Sequence, residues 1–250
     1  MKNFLSLRKK LIADVYSKFK TNRLGKHYSK IKALICLELG SVFAFFFIRL
    51  NIKPNLITFI YIILILAATV LLGTGEKNLI YIGVLIFFFK NSLDLIDGFI
   101  ARITKQTSAL GHKLDTWAGY ISLICFQLAL GLYVYSKNLN VHYLYFTLLI
   151  VTLSAIDFKK HYLSISNEKK IHNFKKLSSR KNHNIILSFF FKIFSILDYD
   201  ARSRYTDLVL LVIIIETFQN KLILSPIIIY VWVLTNLGKF LYKAFKTYNL

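Results

Sequence analysis

Residues 94–119 read DLIDGFIARITKQTSALGHKLDTWAG. This stretch places Asp94 and Asp97 at the end of one very apolar segment and Asp115 at the start of the next. Ionisable groups at membrane depth are costly, so they usually mark functional sites. Three carboxylates at helical spacing, with small residues between them, predict a metal site that faces a phosphate-bearing substrate.

The composition of the chain predicts an all-α polytopic membrane protein. Of its 250 residues, 56% are hydrophobic and only two are prolines, and the mean hydropathy is +0.53. A water-soluble fold could not bury this many long apolar runs, whereas helices that satisfy their own backbone groups can lie in lipid. The basic residues behind the net charge of +21 flank apolar segments, so we expect no nucleic-acid partner.

Six apolar segments are candidates for transmembrane helices, since a span needs about 20 residues. They are roughly 56–73, 79–101, 110–136, 142–158, 205–219 and 225–242. The fourth and fifth segments are short for this role. A further apolar run at 189–197 is shorter still and is interpreted as an interfacial helix.

The distribution of basic residues predicts the orientation in the membrane. Residues 1–53 carry twelve Lys and Arg and residues 159–204 are also strongly basic, whereas the opposite side has only Lys77, Lys137 and Lys221. Both termini, the long basic loop and the aspartate-rich motif are therefore expected on the cytoplasmic side. The basic loop also predicts contact with anionic membrane lipids.

Residues 1–53 are interpreted as a cytoplasmic or interfacial N-terminal region, and residues 54–250 as one six-helix membrane domain. Apolar residues recur at helical spacing over 4–19, with Lys and Arg between them. Such a basic amphipathic helix typically lies on an anionic membrane surface, and a solvated arm is the alternative. The apolar stretch 42–48 is expected in the interface as well. Pro54 then opens the first span, a position that proline tolerates.

The end of the second span carries the first half of the motif. If this segment is helical, Asp94 and Asp97 are neighbours on one face. Gly98 and Ala101 each lie one turn beyond a carboxylate, where a small side chain leaves room for a metal or a diphosphate. Arg102 follows at the cytoplasmic rim, and a planar guanidinium suits phosphate recognition.

The start of the third span carries the second half. Gly111, Asp115 and Gly119 share one face because they are four residues apart, and that face can turn toward Asp94 and Asp97. Three carboxylates on two adjacent helices suit Mg²⁺ or Mn²⁺ rather than zinc. The pattern therefore predicts metal-assisted transfer of a phosphate-linked group.

These residues resemble the signature of the CDP-alcohol phosphotransferase family, which reads D-x2-D-G-x2-A-R, about eight residues, then G-x3-D-x3-D. The seven positions that match at the correct spacing are Asp94, Asp97, Gly98, Ala101, Arg102, Gly111 and Asp115. Residues 54–58 are also similar to the Pro-Asn-x-Ile-Thr with which the family's first span begins. The resemblance implies six membrane helices, a preceding interfacial helix and cytoplasmic termini.

The resemblance further implies a transfer reaction in phospholipid or related biosynthesis at the plasma or inner membrane. A CDP-linked donor, often CDP-diacylglycerol, gives its phosphate-alcohol portion to a hydroxyl acceptor, and CMP leaves. By analogy, Asp94, Asp97 and Asp115 would hold Mg²⁺ or Mn²⁺, two ions in all. The residues that would frame the CDP portion of the donor are Thr58, Gly98, Ala101, Arg102 and Gly111. The family likeness also implies a homodimer.

The sequence departs from the family at the eighth position, where Gly119 replaces an aspartate. In the family that aspartate is a metal ligand and the general base toward the acceptor hydroxyl. Gly119 can do neither, so the second metal site is weakened and the base is unassigned. His112 is a candidate base, because an imidazole pKa of about 6.5 suits proton transfer near neutral pH; an interfacial histidine is the alternative. Asp157 and His161 are further candidates.

Three functions stay open from the residues alone. The first is a working transferase, and the second is a degenerate family member that binds CDP-lipid without transfer, which Gly119 favours. The third is a cation transporter or channel, disfavoured because the carboxylates cluster at one membrane face. Lys90, one turn before Asp94, could also neutralise that carboxylate in a purely structural pair. Glycerol phosphate, serine, inositol phosphate, choline and a glycan-linked alcohol are all compatible acceptors.

Overall fold

The computed structural model describes the backbone of residues 3–19, 28–171 and 202–248, and the side chains of 3–14, 34–156 and 206–241. In these ranges the chain forms eight α-helices and no strand, which confirms the predicted all-α class. The helices are α1 (Phe4–Phe19), α2 (Tyr28–Arg49), α3 (Pro54–Gly73), α4 (Lys77–Ile103), α5 (Ala109–Asn138), α6 (His142–Ile171), α7 (Arg202–Gln219) and α8 (Ser225–Tyr248). The predicted interfacial helix at 189–197 lies outside the described residues.

Helices α3, α4 and α5 are each long and apolar enough to cross a membrane. They contain the first three predicted spans, and α3 begins at Pro54 as the sequence predicted. The other three predicted spans fall in α6, α7 and α8. Within the described residues, the apolar parts of α6 and α8 are shorter, at His142–Ile156 and Ser225–Leu241. Length and composition thus support three spans, and six spans stay a prediction.

The predicted amphipathic helix forms as α1, and part of its apolar stripe is covered by protein. Leu7 and Leu11 are buried in a cluster with residues of α2, α3 and α4. The Arg8 guanidinium hydrogen-bonds both oxygens of Glu38 on α2, with Nε 2.7 Å from Oε2. This hydrogen bond holds the pKa of the Glu38 carboxyl below its usual range. The N-terminal region therefore packs on the helix bundle through both apolar and charged contacts.

Helix α2 is longer than the sequence predicted. Its 22 residues include the apolar stretch 42–48 and extend back to Tyr28. The apolar pattern of the first half is interrupted by Lys30, Lys32 and Glu38. The sequence pattern therefore indicated only the second half. Pairing of Glu38 with Arg8 compensates for one of these charges.

Close packing of α3 on α4 depends on Gly83. A Cβ at this position would lie 2.5 Å from Leu72 Cδ1 and 3.0 Å from the carbonyl oxygen of Ala68, both on α3. Small residues at such a crossing let two backbones approach, and van der Waals packing then contributes much of the attraction between helices in lipid. Because the neighbour is partly backbone, a methyl group here would push the helices apart.

We expect Gly83→Ala to be less stable than the matched variant Gly119→Ala by about 1–3 kcal/mol, the usual cost of overpacking. Both changes gain the same helix propensity, but no atom lies within 4 Å of a Cβ built at Gly119. Thermal unfolding of the two variants in the same detergent measures the difference. Equal stabilities would show that α3 and α4 have room to relax.

Candidate active site

A five-residue connection joins the two halves of the motif. Helix α4 ends at Ile103 and α5 begins at Ala109, with Lys105 in the left-handed region at φ 57°. The Ser108 hydroxyl caps α5 by accepting the N–H of Gly111 at 3.0 Å. An N-cap of this kind satisfies one of the free donors at a helix start. The short connection keeps the end of α4 and the start of α5 at the same end of the bundle.

Asp97 is the buried carboxylate of the motif, with 6% of its surface exposed. Thr58 Oγ1 on α3 donates to Asp97 Oδ2 at 2.6 Å, and the N–H of Gly98 donates to Asp97 Oδ1 at 2.5 Å. A buried charge requires such partners. Thr58, predicted to lie beside the donor's CDP portion, is thus in direct contact with a predicted metal ligand.

Asp94 and Asp115 lie on the open side of the same site. Both side chains are exposed, and Asp94 interacts electrostatically with Asp115, Asp97 and Lys90. Lys90 Nζ donates to Ser122 Oγ on α5 at 2.5 Å, so the ammonium is held beside Asp94 by the opposite helix. The three predicted carboxylates are therefore brought to one region, with a cation beside them.

The small residues of the motif have separate packing roles. A Cβ at Gly111 would lie 3.0 Å from Asn55 Oδ1 and 3.2 Å from Ser108 Oγ, so this glycine lets the start of α3 approach the start of α5. A Cβ at Gly98 would lie 3.1 Å from Arg102 Nη1, because the arginine folds back over it. Ala101, on the same turn, is half-buried.

Arg102 has a partner that the sequence did not indicate. Its Nε and Nη2 donate to the two carboxylate oxygens of Asp14 on α1, at 3.1 and 2.5 Å. The arginine predicted for phosphate recognition is thus paired with a carboxylate of the N-terminal helix. Asp14 is the only acidic residue among the first 37. An isolated carboxylate in a basic segment was the sequence feature that could have indicated such a pair.

Of the three candidate bases, the structure describes the side chain of His112 alone. The His112 side chain is exposed on the first turn of α5, and its role as base stays a prediction. Asp157 and His161 lie on α6 beyond the last described side chain of that helix. At Gly119 a built Cβ meets nothing within 4 Å, so the position of the missing family aspartate is open space next to Asp115.

The chemistry of the donor set fits a divalent cation, since hard carboxylate oxygens are what Mg²⁺ and Mn²⁺ prefer. The side chains are not gathered into one coordination shell, and no group of three His, Cys, Asp or Glu with metal-site geometry occurs among the described residues. Asp97 is instead held by Thr58 and Gly98.

Comparison with known proteins identifies the family. The family model for CDP-alcohol phosphatidyltransferase matches residues 51–214, which contain both halves of the motif and the helices that carry them. This chain belongs to the CDP-alcohol phosphatidyltransferase family.

A curated relative agrees with the family assignment. The chain is 30% identical over 92 residues to the ceramide phosphoethanolamine synthase of Drosophila melanogaster. The match covers 35% of this chain and 24% of that protein, so the chain spans only a part of its relative's length. No solved structure matches the chain.

We expect Thr58→Val to lower the free energy of unfolding by about 1.5–3 kcal/mol, because it removes a hydrogen bond to a buried charged group. Thr69→Val is the matched control on α3, since Thr69 donates to neutral groups, the carbonyl oxygens of Ile65 and Cys125 and the Cys125 thiol, and should cost about 0.5–1.5 kcal/mol. In an Asp97→Asn background the Thr58 change should cost less. An equal loss in both backgrounds would contradict coupling of Thr58 to Asp97.

Proposed function

We propose that this protein is a membrane transferase that moves a phosphate-linked alcohol from a CDP-linked donor to a hydroxyl acceptor, with release of CMP. This proposal rests on the family match over residues 51–214. It also rests on the motif carboxylates, which lie on two helices joined by a short connection. A working transferase is favoured over a cation pathway because the carboxylates share one end of the bundle with Arg102.

The proposed reaction is a displacement at phosphorus. The acceptor oxygen forms a bond to the phosphorus on the alcohol side of the diphosphate. The bond from that phosphorus to the bridging oxygen breaks, CMP leaves with the electron pair, and the acceptor hydroxyl loses its proton to a base. Because the diphosphate is anionic, positioning and charge stabilisation account for most of the catalysis in reactions of this class.

Each motif residue has a proposed role in that reaction. Asp94, Asp97 and Asp115 would hold Mg²⁺ or Mn²⁺, which when bound neutralises charge on the diphosphate. The residues proposed to frame the CDP portion of the donor are Thr58, Gly98, Ala101, Arg102 and Gly111. Thr58 acts there by fixing the Asp97 carboxylate. His112 is proposed as the group that accepts the acceptor's proton.

Two donor and acceptor pairs have support. The family description, which names phosphatidyl transfer, supports CDP-diacylglycerol with a polar alcohol. The relative is named for a product that joins phosphoethanolamine to ceramide, and in a CDP-dependent reaction that product requires CDP-ethanolamine and a ceramide. A lipid acceptor is compatible with the open space at Gly119 beside Asp115.

The proposal is tested by measuring CMP release by the purified full chain with Mn²⁺ or Mg²⁺. One arm contains CDP-diacylglycerol and pooled polar alcohols, and the other contains CDP-ethanolamine and ceramide. We expect CMP in one arm, dependent on metal and lost by at least 100-fold in Asp97→Ala, since catalytic charge stabilisation is worth several kcal/mol. Binding of the CDP donor without CMP in either arm would favour the degenerate alternative.

We expect Gly119→Asp to raise turnover about 10–100-fold, because a positioned general base typically contributes 10²–10⁴-fold and His112 already supplies a part. The space at Gly119 admits the side chain without displacing an atom at Cβ. Gly119→Asn is the matched control, with the same size and no basic carboxylate. Equal gains from both variants would mean that filling the space matters and proton transfer does not.

A further inference from the structure

A polar cavity of about 400 Å³ lies at the far end of the bundle from the motif. It is bounded by the end of α5, the start of α6, the end of α7, the connection 220–224 and the start of α8. Lys137 follows Asp115 by 22 residues on α5, or about 33 Å at 1.5 Å per residue. That separation matches the roughly 30 Å hydrocarbon core of a bilayer. The cavity therefore lies near the opposite membrane surface and is not part of the candidate active site.

Two of the cavity's lining residues are lysines, Lys137 and Lys221. They are two of the three basic residues predicted on this side of the membrane, the third being Lys77. In the part of the chain that the structure describes, neither forms an ion pair. The positive-inside rule explains why basic residues are scarce on this side. It does not explain why two of the three line one cavity.

The cavity also contains one carboxylate, Glu216, which is already satisfied. It is 3% exposed and accepts the backbone N–H groups of Ile223, Leu224 and Ser225 at 2.8, 2.6 and 2.9 Å, as well as the Ser225 hydroxyl. These donors belong to the turn before α8 and to its first residue, where the helix dipole also favours a negative charge. Glu216 therefore does not depend on the lysines for compensation.

The remaining polar groups of the cavity are neutral. Asn138 and Asn220 supply amide groups, and Tyr133 and Tyr143 supply phenol groups. Tyr133 also hydrogen-bonds Thr217 and Glu216, and Tyr143 hydrogen-bonds Tyr230 and Asn138. Two ammonium groups with neutral donors around them suit a phosphate oxygen, which accepts charge-assisted hydrogen bonds. A volume of about 400 Å³ falls in the range of small-ligand pockets, about 300–1,000 Å³.

We propose that this cavity is a second, anion-binding site that takes a phosphate-bearing group through Lys137 and Lys221. The group is either the head group of an anionic phospholipid in that leaflet or a soluble phosphate ester. The site is independent of the transfer reaction, because it lies a membrane thickness away from the motif carboxylates.

The test measures binding to the full chain by native mass spectrometry, with inorganic phosphate in one arm and phosphatidylglycerol against phosphatidylcholine in the other. We expect at least a tenfold weaker interaction with the bound probe in the double variant Lys137→Gln, Lys221→Gln. Lys77→Gln is the matched control on the same side, since Lys77 lies over the Phe218 ring and does not line the cavity. It should bind as the unmodified chain does.

Each outcome decides the proposal. Preference for phosphatidylglycerol without phosphate binding assigns a lipid head group, and phosphate binding assigns a soluble ester. No binding of either probe, or equal binding by the double variant and Lys77→Gln, overturns it. If the double variant unfolds, the two single variants replace it. Asp97→Ala is expected to lose CMP release. If this variant still binds the probe, the cavity is separate from the proposed transferase site.

Discussion

The hydrogen bond from Thr58 to Asp97 is the contact on which the arrangement of the site depends. A carboxylate buried among helices is costly unless it is fully hydrogen-bonded, and here one donor comes from α3 and the other from the backbone of α4. The bond therefore fixes how far α3 and α4 can slide along each other at the end that carries the motif. Gly83 permits the same two helices to pack closely further along. Helix α5 packs on α3.

The other charged groups of the motif lie around this fixed carboxylate. Asp94 and Asp115 are exposed at the opening, with Lys90 held beside Asp94 by Ser122 of α5. Arg102 hydrogen-bonds both carboxylate oxygens of Asp14. A phosphate that reached Arg102 would compete with a carboxylate already in bidentate contact. The N-terminal helix is thus coupled by an ion pair to the arginine that we propose frames the CDP portion of the donor.

Much of the bundle and the motif could be predicted from the sequence, because both depend on short-range patterns. Apolar runs gave α3, α4 and α5, and four-residue spacing placed Gly111, Asp115 and Gly119 on one face. Contacts between distant residues could not be predicted. The Arg102–Asp14 pair joins positions 88 apart, and the pairing of Glu38 in α2 with Arg8 also forms only in the folded chain. The sequence also could not predict that Lys137 and Lys221 line the same cavity, because this depends on which helix ends are neighbours.

The short connection after α4 has a consequence for rotation as well as distance. Ser108 fixes where α5 begins, and each residue of a helix advances the side chains by about 100° around its axis. One residue added or removed between the cap and Asp115 would keep every motif amino acid but turn Asp115 away from Asp94 and Asp97. The six residues between Ser108 and Asp115 therefore set the direction in which Asp115 faces, which is a geometric reason for a fixed spacing in this half of the motif.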